Sequence, residues 1–175
     1  PIPEPNGTGN GTHIHFSFLD DAGKPTLYEP ARCYGLSSLG SQFAAGILDH
    51  LPALCAVTTP ALSSYYRLRP NRWAPVNTDV GNLDRGTALR ICPLTGEDAE
   101  SRARQFNVEF RVADAAASPY LALSVMLHAG LDGIARKLNI ENHLPRPLPS
   151  NLSQALDLLE ATPQAKDWLG PALLA

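Results

Sequence analysis

The chain has 175 residues, of which 44% are hydrophobic and 18% charged, and its formal net charge is -3. These values are typical of one folded domain and exclude a disordered chain. They also argue against a general nucleic-acid binder, and no apolar run is long enough to cross a bilayer. Three cysteines without Cys-x-x-Cys spacing indicate neither a disulfide framework nor a zinc ribbon. We therefore expect a soluble, cytoplasmic protein without nucleic-acid or membrane partners.

The first predicted element is a strand over residues 12–18, because polar and apolar side chains alternate there. One face carries His13, His15 and Ser17, and the opposite face carries Ile14, Phe16 and Phe18. The preceding Gly7, Gly9 and Gly11 would let the backbone approach a ligand closely. A Gly-x-Gly-x-Gly run is often only a flexible turn, and two imidazoles need a third partner before a metal site is indicated.

The next predicted elements are helical. Ser37 and Ser38 can cap a helix whose apolar residues recur at helical spacing. These residues are Leu39, Phe43, Ile47 and Leu51. A separate short apolar segment is predicted from Leu51 to Val57, before Pro60. Both are interpreted as packing elements.

An arginine-rich segment covers residues 63–111. Of the 14 Lys and Arg residues in the chain, eight lie here, and all are arginine. They are Arg67, Arg69, Arg72, Arg85, Arg90, Arg102, Arg104 and Arg111. The planar guanidinium matches carboxylate and phosphate oxygens, so we expect part of this set to bind anions.

Two further strands are predicted at residues 87–91 and 106–112. The polar face of the second carries Asn107, Glu109 and Arg111. If this strand and the first lie in one sheet with their polar faces aligned, His13 and Glu109 could hold a divalent cation. The alternative is a half-exposed Glu/Arg pair, which is common and contributes little to stability.

Three helices are predicted in the last third of the chain. The first begins at Ser118-Pro119 and continues to Leu138, and its apolar composition predicts that it is largely buried. The second has Asn151 as its cap and ends near Glu160. The third begins at Thr162-Pro163 and ends at Gly170.

Four motifs resemble the C-terminal part of the catalytic domain of the glutamine synthetase family. They are Gly9–Ser17 (GNGTHIHFS), Ser64–Pro70 (SYYRLRP), Asp84–Arg90 (DRGTALR), and Glu109–Arg111 (EFR) followed by Ala117–Ala122 (ASPYLA). The resemblance implies an α+β fold that forms part of the family's catalytic barrel. We expect a curved, mostly antiparallel sheet with helices on its outer face. It also implies that residues 1–175 lack the N-terminal domain and the first half of the catalytic domain.

The resemblance further implies an ATP-dependent carboxylate-amine ligase that uses Mg2+ or Mn2+. In this family ATP phosphorylates the side-chain carboxylate of glutamate, and ammonia then displaces phosphate from the γ-glutamyl phosphate. By motif, the implied metal ligands are His13 and Glu109, and the implied nucleotide contacts are His15, Ser17, Arg90 and Arg104. The implied glutamate-binding residues are Thr8, Gly9, Arg67, Arg85 and Arg111, of which Arg85 and Arg111 are also implied to be catalytic.

The sequence departs from the family pattern in three respects. Trp73 stands where ammonia-using members carry a glutamate that takes a proton from the incoming nitrogen, and an indole cannot act as a general base. Either the acceptor is therefore another amine, as in the glutamylpolyamine and related branches, or the base is supplied by another residue. Asn107 replaces a basic residue, and the family's other metal-binding carboxylates lie upstream of this chain. We expect the fragment alone to be inactive and the full-length protein to be a homo-oligomer.

Two alternatives remain open at this point. A non-catalytic relative could keep the scaffold for a structural or regulatory role, although it would have no need for His13, Glu109, Arg85 and Arg111. An unrelated metal-binding sheet protein would place His13 and His15 on one ion, whereas the ligase interpretation pairs His13 with Glu109.

Overall fold

The computed structural model describes residues 1–2, 4, 6–7 and 9–170. Within these ranges the chain forms a four-stranded sheet and five α-helices, which confirms the α+β prediction. The strands are β1 (Ile14–Phe16), β2 (Val80–Asn82), β3 (Leu89–Ile91) and β4 (Val108–Phe110). The helices are α1 (Ser38–Thr58), α2 (Ala99–Gln105), α3 (Pro119–Ala135), α4 (Leu152–Glu160) and α5 (Pro163–Leu169). No helix in this part of the chain combines the length and hydropathy needed to span a bilayer.

The strand order is β1-β4-β3-β2, so the two strands that carry His15 and Glu109 are neighbours. β4 is antiparallel to both β1 and β3, and β2 is parallel to β3. The prediction of a mostly antiparallel sheet is therefore confirmed. In the register, Glu109 lies opposite His15 on one side and Arg90 on the other. Residues directly opposite each other share a face, so the sheet brings these side chains together.

Helix α1 begins as predicted, because the Ser37 side chain accepts a hydrogen bond from the Gly40 amide at 3.1 Å. The prediction that a separate segment follows near Leu51 was wrong, since α1 continues through Pro52 to Thr58. A proline inside a helix removes one backbone hydrogen bond and disfavours the preceding turn. Burial of the apolar residues on both sides of it, including Leu51 and Leu54, offsets this cost.

Helix α3 packs along α1 and is less buried than its composition predicts. Val125 and Met126 lie in the interior, but Leu123, Leu127 and Leu131 are exposed. The prediction was wrong for these three because a helix that is apolar on every side carries no sequence signal for the face that packs.

The starts of α4 and α5 agree with the predictions. The Asn151 side chain accepts a hydrogen bond from the Gln154 amide at 2.9 Å, as expected of a cap residue. Gly170 ends α5 with a φ of 71°, a conformation that glycine adopts without strain. Two short elements, α2 with seven residues and β2 with three, were not predicted.

A network of charged side chains connects α1 and α3. Asp132 Oδ2 lies 2.7 Å from His50 Nε2 and accepts a hydrogen bond from Arg136 Nη1 at 2.9 Å. Burial raises the pKa of the Asp132 carboxyl, but the hydrogen bonds from His50 and Arg136 outweigh it, so the pKa lies below its ordinary value. The native state therefore binds this proton less readily than the unfolded state does.

We expect Asp132→Asn to lower the free energy of unfolding by about 1 kcal/mol at neutral pH. A carboxyl whose pKa is depressed by folding stabilises the native state above the unfolded pKa, about 3.9 for Asp, and loses that effect as the pH falls through the folded pKa. The difference between variant and parent should thus shrink as urea titrations are repeated toward about pH 4. Asp157→Asn on the exposed side of α4 is the control, because the substitution of an exposed side chain should change the free energy of unfolding by less than about 0.5 kcal/mol. The prediction would be contradicted if the difference in free energy of unfolding between Asp132→Asn and the parent grew as the pH fell.

Candidate functional site

Glu109 is the centre of the polar face of the sheet. It is only 2% exposed, and both carboxylate oxygens have partners. Oε1 accepts a hydrogen bond from Arg111 Nη1 at 2.7 Å and lies 2.8 Å from His13 Nδ1. Oε2 accepts a hydrogen bond from Arg90 Nη1 at 2.7 Å. The structure thus brings His13 and Glu109 together and surrounds the carboxylate with two guanidinium groups.

Local sequence explains this arrangement. Glu109 and Arg111 are two residues apart on β4 and its continuation, so they share a face. Arg90 on β3 is paired with Glu109 on β4. His13 immediately precedes β1, which is the neighbour of β4 on the other side. The strand alternation and the register together place these four side chains at one point.

The charges of the cluster shift the pKa values of both central groups. Burial raises the pKa of Glu109, but hydrogen bonds from Arg111 and Arg90 outweigh this effect and hold the pKa below its ordinary value. Burial and the positive charge of Arg111 lower the pKa of His13, against an opposing effect of Glu109. A carboxylate and a neutral imidazole are the protonation states that bind metal ions.

Two buried arginines stabilise the backbone around the cluster. Arg67 donates hydrogen bonds to the carbonyl oxygens of Val112 and, at 3.0 Å, Ala113. Arg111 donates from Nε to the carbonyl oxygen of Arg85 at 3.1 Å, which ties the loop before β3 to β4. Burial lowers the pKa of Arg67. These bonds fix the positions of both guanidinium groups at the edge of the site.

A cleft of about 700 Å3 opens above this cluster, and we call it the arginine cleft. Its lining residues are Ile2, Asn6, Gly7, Gly9, Asn10, Gly11, His13, Arg67, Asn71, Arg72, Trp73, Arg85, Arg90, Glu109 and Arg111. Five of these are arginines and one is an acid, so the cleft has a clear excess of positive charge. Such a cavity attracts carboxylates and phosphates.

The predicted site residues do not all lie in this cleft. Gly9, Arg67, Arg85, Arg90 and Arg111 line it together with His13 and Glu109. Ser17 and Arg104 instead line a separate hollow of about 250 Å3. Arg104 pairs with the exposed Glu100 at 2.9 Å. Thr8 lies outside the described residues.

His15 lies beside Asn107 and Glu109. Its Nδ1 is 2.8 Å from Asn107 Oδ1, and its Nε2 is 3.7 Å from Glu109 Oε1. His13 is closer to that oxygen, at 2.8 Å. The geometry therefore favours the pairing of His13 with Glu109 over a site built on the two imidazoles.

Sequence reasoning assigned no role to Arg72, Asn10 or Asn71, which also line the cleft. Arg72 lies in the arginine-rich segment, and Asn10 lies between Gly9 and Gly11. Their positions in these motifs were the signal that could have identified them as cleft residues. Asn71 has a φ of 63°, which sequence alone did not indicate.

The side chains of the cluster include donor types that divalent cations accept. Among the described residues no group of three His, Cys, Asp or Glu side chains could hold a metal ion. His13 and Glu109 supply one imidazole and one carboxylate, and Mg2+ commonly uses few protein ligands and completes its shell with phosphate oxygens and water. The two residues would serve such an ion as part of its ligand set.

Comparison with known proteins identifies the same family as the motifs. The family model described as the glutamine synthetase catalytic domain matches residues 1–175. A glutamine synthetase from Streptomyces coelicolor is 38% identical over 175 residues, which are 92% of this chain and 36% of that protein. The γ-glutamylpolyamine synthetase GlnA3 from the same organism is 37% identical over 183 residues, or 95% of this chain and 38% of that protein.

A solved structure shows the same fold. A crystal structure described as a novel glutamine synthase homolog superposes with a TM-score of 0.89 at 42% identity, and the match covers 99% of this chain and 41% of that one. This chain thus spans less than half the length of these relatives. Since the family model covers every residue and the fold and motifs agree, the chain belongs to the glutamine synthetase family.

Proposed function

We propose that the complete gene product containing this chain is an ATP-dependent ligase that joins glutamate, or a similar acid, to ammonia or another amine through an acyl phosphate. The observation that carries this proposal is the arginine cleft, which is lined by five arginines and by one buried carboxylate, that of Glu109. Phosphoryl transfer is catalysed mainly by positioning and by cations around a charge-dispersed transition state. The names of the relatives support the same class of reaction.

In the proposed reaction, the side-chain carboxylate of the acid attacks the γ-phosphorus of ATP and ADP leaves. Arg67 and Arg111 would hold the acid, because both are fixed at the edge of the cleft by backbone carbonyls. Arg85 and Arg90 would stabilise charge on the transferred phosphoryl group. A divalent cation bound by His13 and Glu109 would neutralise charge on the nucleotide phosphates. The amine then attacks the acyl carbon and phosphate departs.

The predicted nucleotide-binding residues extend beyond the arginine cleft. His15 Nε2 lies 3.7 Å from Glu109 Oε1, while Ser17 and Arg104 line a second hollow. We infer that ATP would extend from the cluster toward that hollow. The homo-oligomeric state and the cytoplasmic location of the complete gene product remain predictions.

The test is phosphate release by the complete gene product with ATP, glutamate, Mg2+ and ammonia or an organic amine. Phosphate release that requires all components would support the proposal, with formation of the amide measured in parallel. No amide with any amine, under conditions where the protein is folded and binds ATP, would contradict it.

Arg85→Ala is expected to lower kcat by about a hundredfold, because one charge-stabilising group is lost at the transferred phosphoryl group. Its side chain is exposed, so the free energy of unfolding should change by about 0.5 kcal/mol or less. The matched control is Arg69→Ala, since Arg69 lies over the Tyr66 ring and does not line the cleft. Equal losses of kcat in the two variants would refute the role of Arg85.

A further inference from the structure

Asn107 fixes the position of the hydrogen on the His15 ring through two hydrogen bonds. The Asn107 Nδ2 atom donates to the carbonyl oxygen of Gln105 at 2.7 Å. A carbonyl oxygen only accepts, so the amide nitrogen must face Gln105 and the Oδ1 atom must face His15. His15 Nδ1 lies 2.8 Å from that oxygen. The neutral His15 ring therefore carries its hydrogen on Nδ1, which donates to Asn107, and keeps a lone pair on Nε2.

The Cys92 thiol lies at the same ring nitrogen without changing this assignment. Its Sγ atom is 3.6 Å from His15 Nδ1. If Nδ1 accepted a hydrogen bond from the thiol, its lone pair would also lie 2.8 Å from the Asn107 oxygen, and two acceptors at that distance repel each other. Sulfur is in addition a weaker hydrogen-bonding partner than an amide oxygen. The contact with Asn107 therefore determines the tautomer.

The Nε2 lone pair of His15 lies close to the central carboxylate of the site. Nε2 is 3.7 Å from Glu109 Oε1, which exceeds the length of a hydrogen bond. Two acceptors at this separation are stabilised by a donor that contacts both, and a water molecule with hydrogen bonds of about 2.8 Å spans the distance. The His15 side chain is 52% exposed, so solvent has access to the ring. A hydrated cation supplies such a water molecule, because Mg2+ dehydrates reluctantly and keeps several waters.

We propose that Asn107 is a positioning residue that holds His15 as the Nδ1–H tautomer and so makes Nε2 an acceptor for the water shell of the divalent cation at Glu109. The inference rests on the proposed function, which places that cation at His13 and Glu109. A Lys or Arg side chain only donates hydrogen bonds, so the basic residue of the family pattern could not hold this tautomer. Residues beyond the direct ligands commonly orient a metal site in this way.

The test measures Mn2+ binding to the complete gene product by electron paramagnetic resonance, without nucleotide or substrates. The relevant site is the one that Glu109→Gln removes. Asn107→Leu has a similar size but no acceptor, and it should weaken Mn2+ binding at this site by about fivefold, because the tautomer with a free Nε2 would be only a fraction of the population. Asn107→Asp keeps an oxygen at Nδ1 and should bind Mn2+ at least as tightly as the parent. Asn82→Leu, at an exposed position of β2, is the matched control and should leave Mn2+ binding unchanged.

A double-mutant cycle separates an effect through His15 from a general loss of structure. His15→Phe removes both ring nitrogens and should weaken Mn2+ binding by about tenfold, as loss of a residue beyond the direct ligands commonly does. Asn107→Leu should cost nothing further in that background, since the two residues act as one unit. In the metal-free parent, at a pH where the ring is neutral, 15N NMR of labelled histidine should show the His15 hydrogen on Nδ1, and Asn107→Leu should show a mixture of tautomers.

Several outcomes would overturn the inference. They are Mn2+ affinity that is unchanged in Asn107→Leu, affinity that falls equally in Asn107→Asp, and losses that add in the double variant. ATP binding without a divalent cation should be the same in Asn107→Leu and the parent, and a loss confined to ATP would make His15 a nucleotide contact instead. None of these measurements requires turnover, so a parent that binds Mn2+ as expected but forms no amide would refute the ligase proposal alone.

Discussion

Glu109→Gln is expected to lower ligase activity of the complete gene product by about a thousandfold, the upper range for loss of one electrostatic contact in an active site. The carboxylate accepts hydrogen bonds from Arg90 and Arg111 and lies against His13. The amide would remove both the proposed metal ligand and the negative charge that holds the two arginines in place. Steady-state kinetics at saturating ATP and glutamate would measure the effect.

The same substitution should lower the free energy of unfolding by about 3 kcal/mol, because it leaves buried guanidinium charge without its counter-ion. Glu100→Gln is the control, since Glu100 forms a largely exposed ion pair with Arg104 and such pairs contribute about 0.5 kcal/mol. Glu109→Asp keeps the charge and should recover part of the stability. Full activity in Glu109→Gln would exclude Glu109 from the reaction.

Gly46→Ala is expected to destabilise the fold by about 3 kcal/mol or more, although alanine normally favours a helix by about 1 kcal/mol over glycine. A Cβ atom at Gly46 would collide with the carbonyl oxygen of Ala129 and lie 2.7 Å from the Cα of Gly133. These are backbone atoms of α3, which cannot rotate away as a side chain does. The helices α1 and α3 would have to separate along their contact.

Urea unfolding of the chain would measure this loss as a lower midpoint with an unchanged slope. Leu131→Ala on α3 is the control, because its side chain is 56% exposed and its removal should cost less than about 1 kcal/mol. A stability for Gly46→Ala within 1 kcal/mol of the parent would show that the helices can shift at that contact.

Residues with a strict local period were predicted well. Alternation on β1 and β4 placed His15 and Glu109 on polar faces, and the cap residues Ser37 and Asn151 marked helix starts. Alternation depends only on backbone geometry, so it can be recognised without knowledge of the partner strand. The resemblance to the family followed from the same motifs, and the comparisons confirm it.

Elements that depend on distant partners were predicted poorly. The continuation of α1 through Pro52 and the exposure of Leu127 are set by which surfaces meet, and no local pattern records this. The short strand β2 is stable only through its pairing with β3. Individual strands of three residues gain too little local stabilisation to be recognised alone.

The sequence by itself determined the family, the α+β class and the identity of the polar residues at the centre of the site. Tertiary structure alone decided that Glu109 contacts His13, Arg90 and Arg111 at once, and that Asn107 contacts His15. The physical reason is that strand register and loop conformation bring together residues far apart in the chain. Local sequence fixes the direction of a side chain relative to its own backbone, whereas its neighbours depend on how the elements pack.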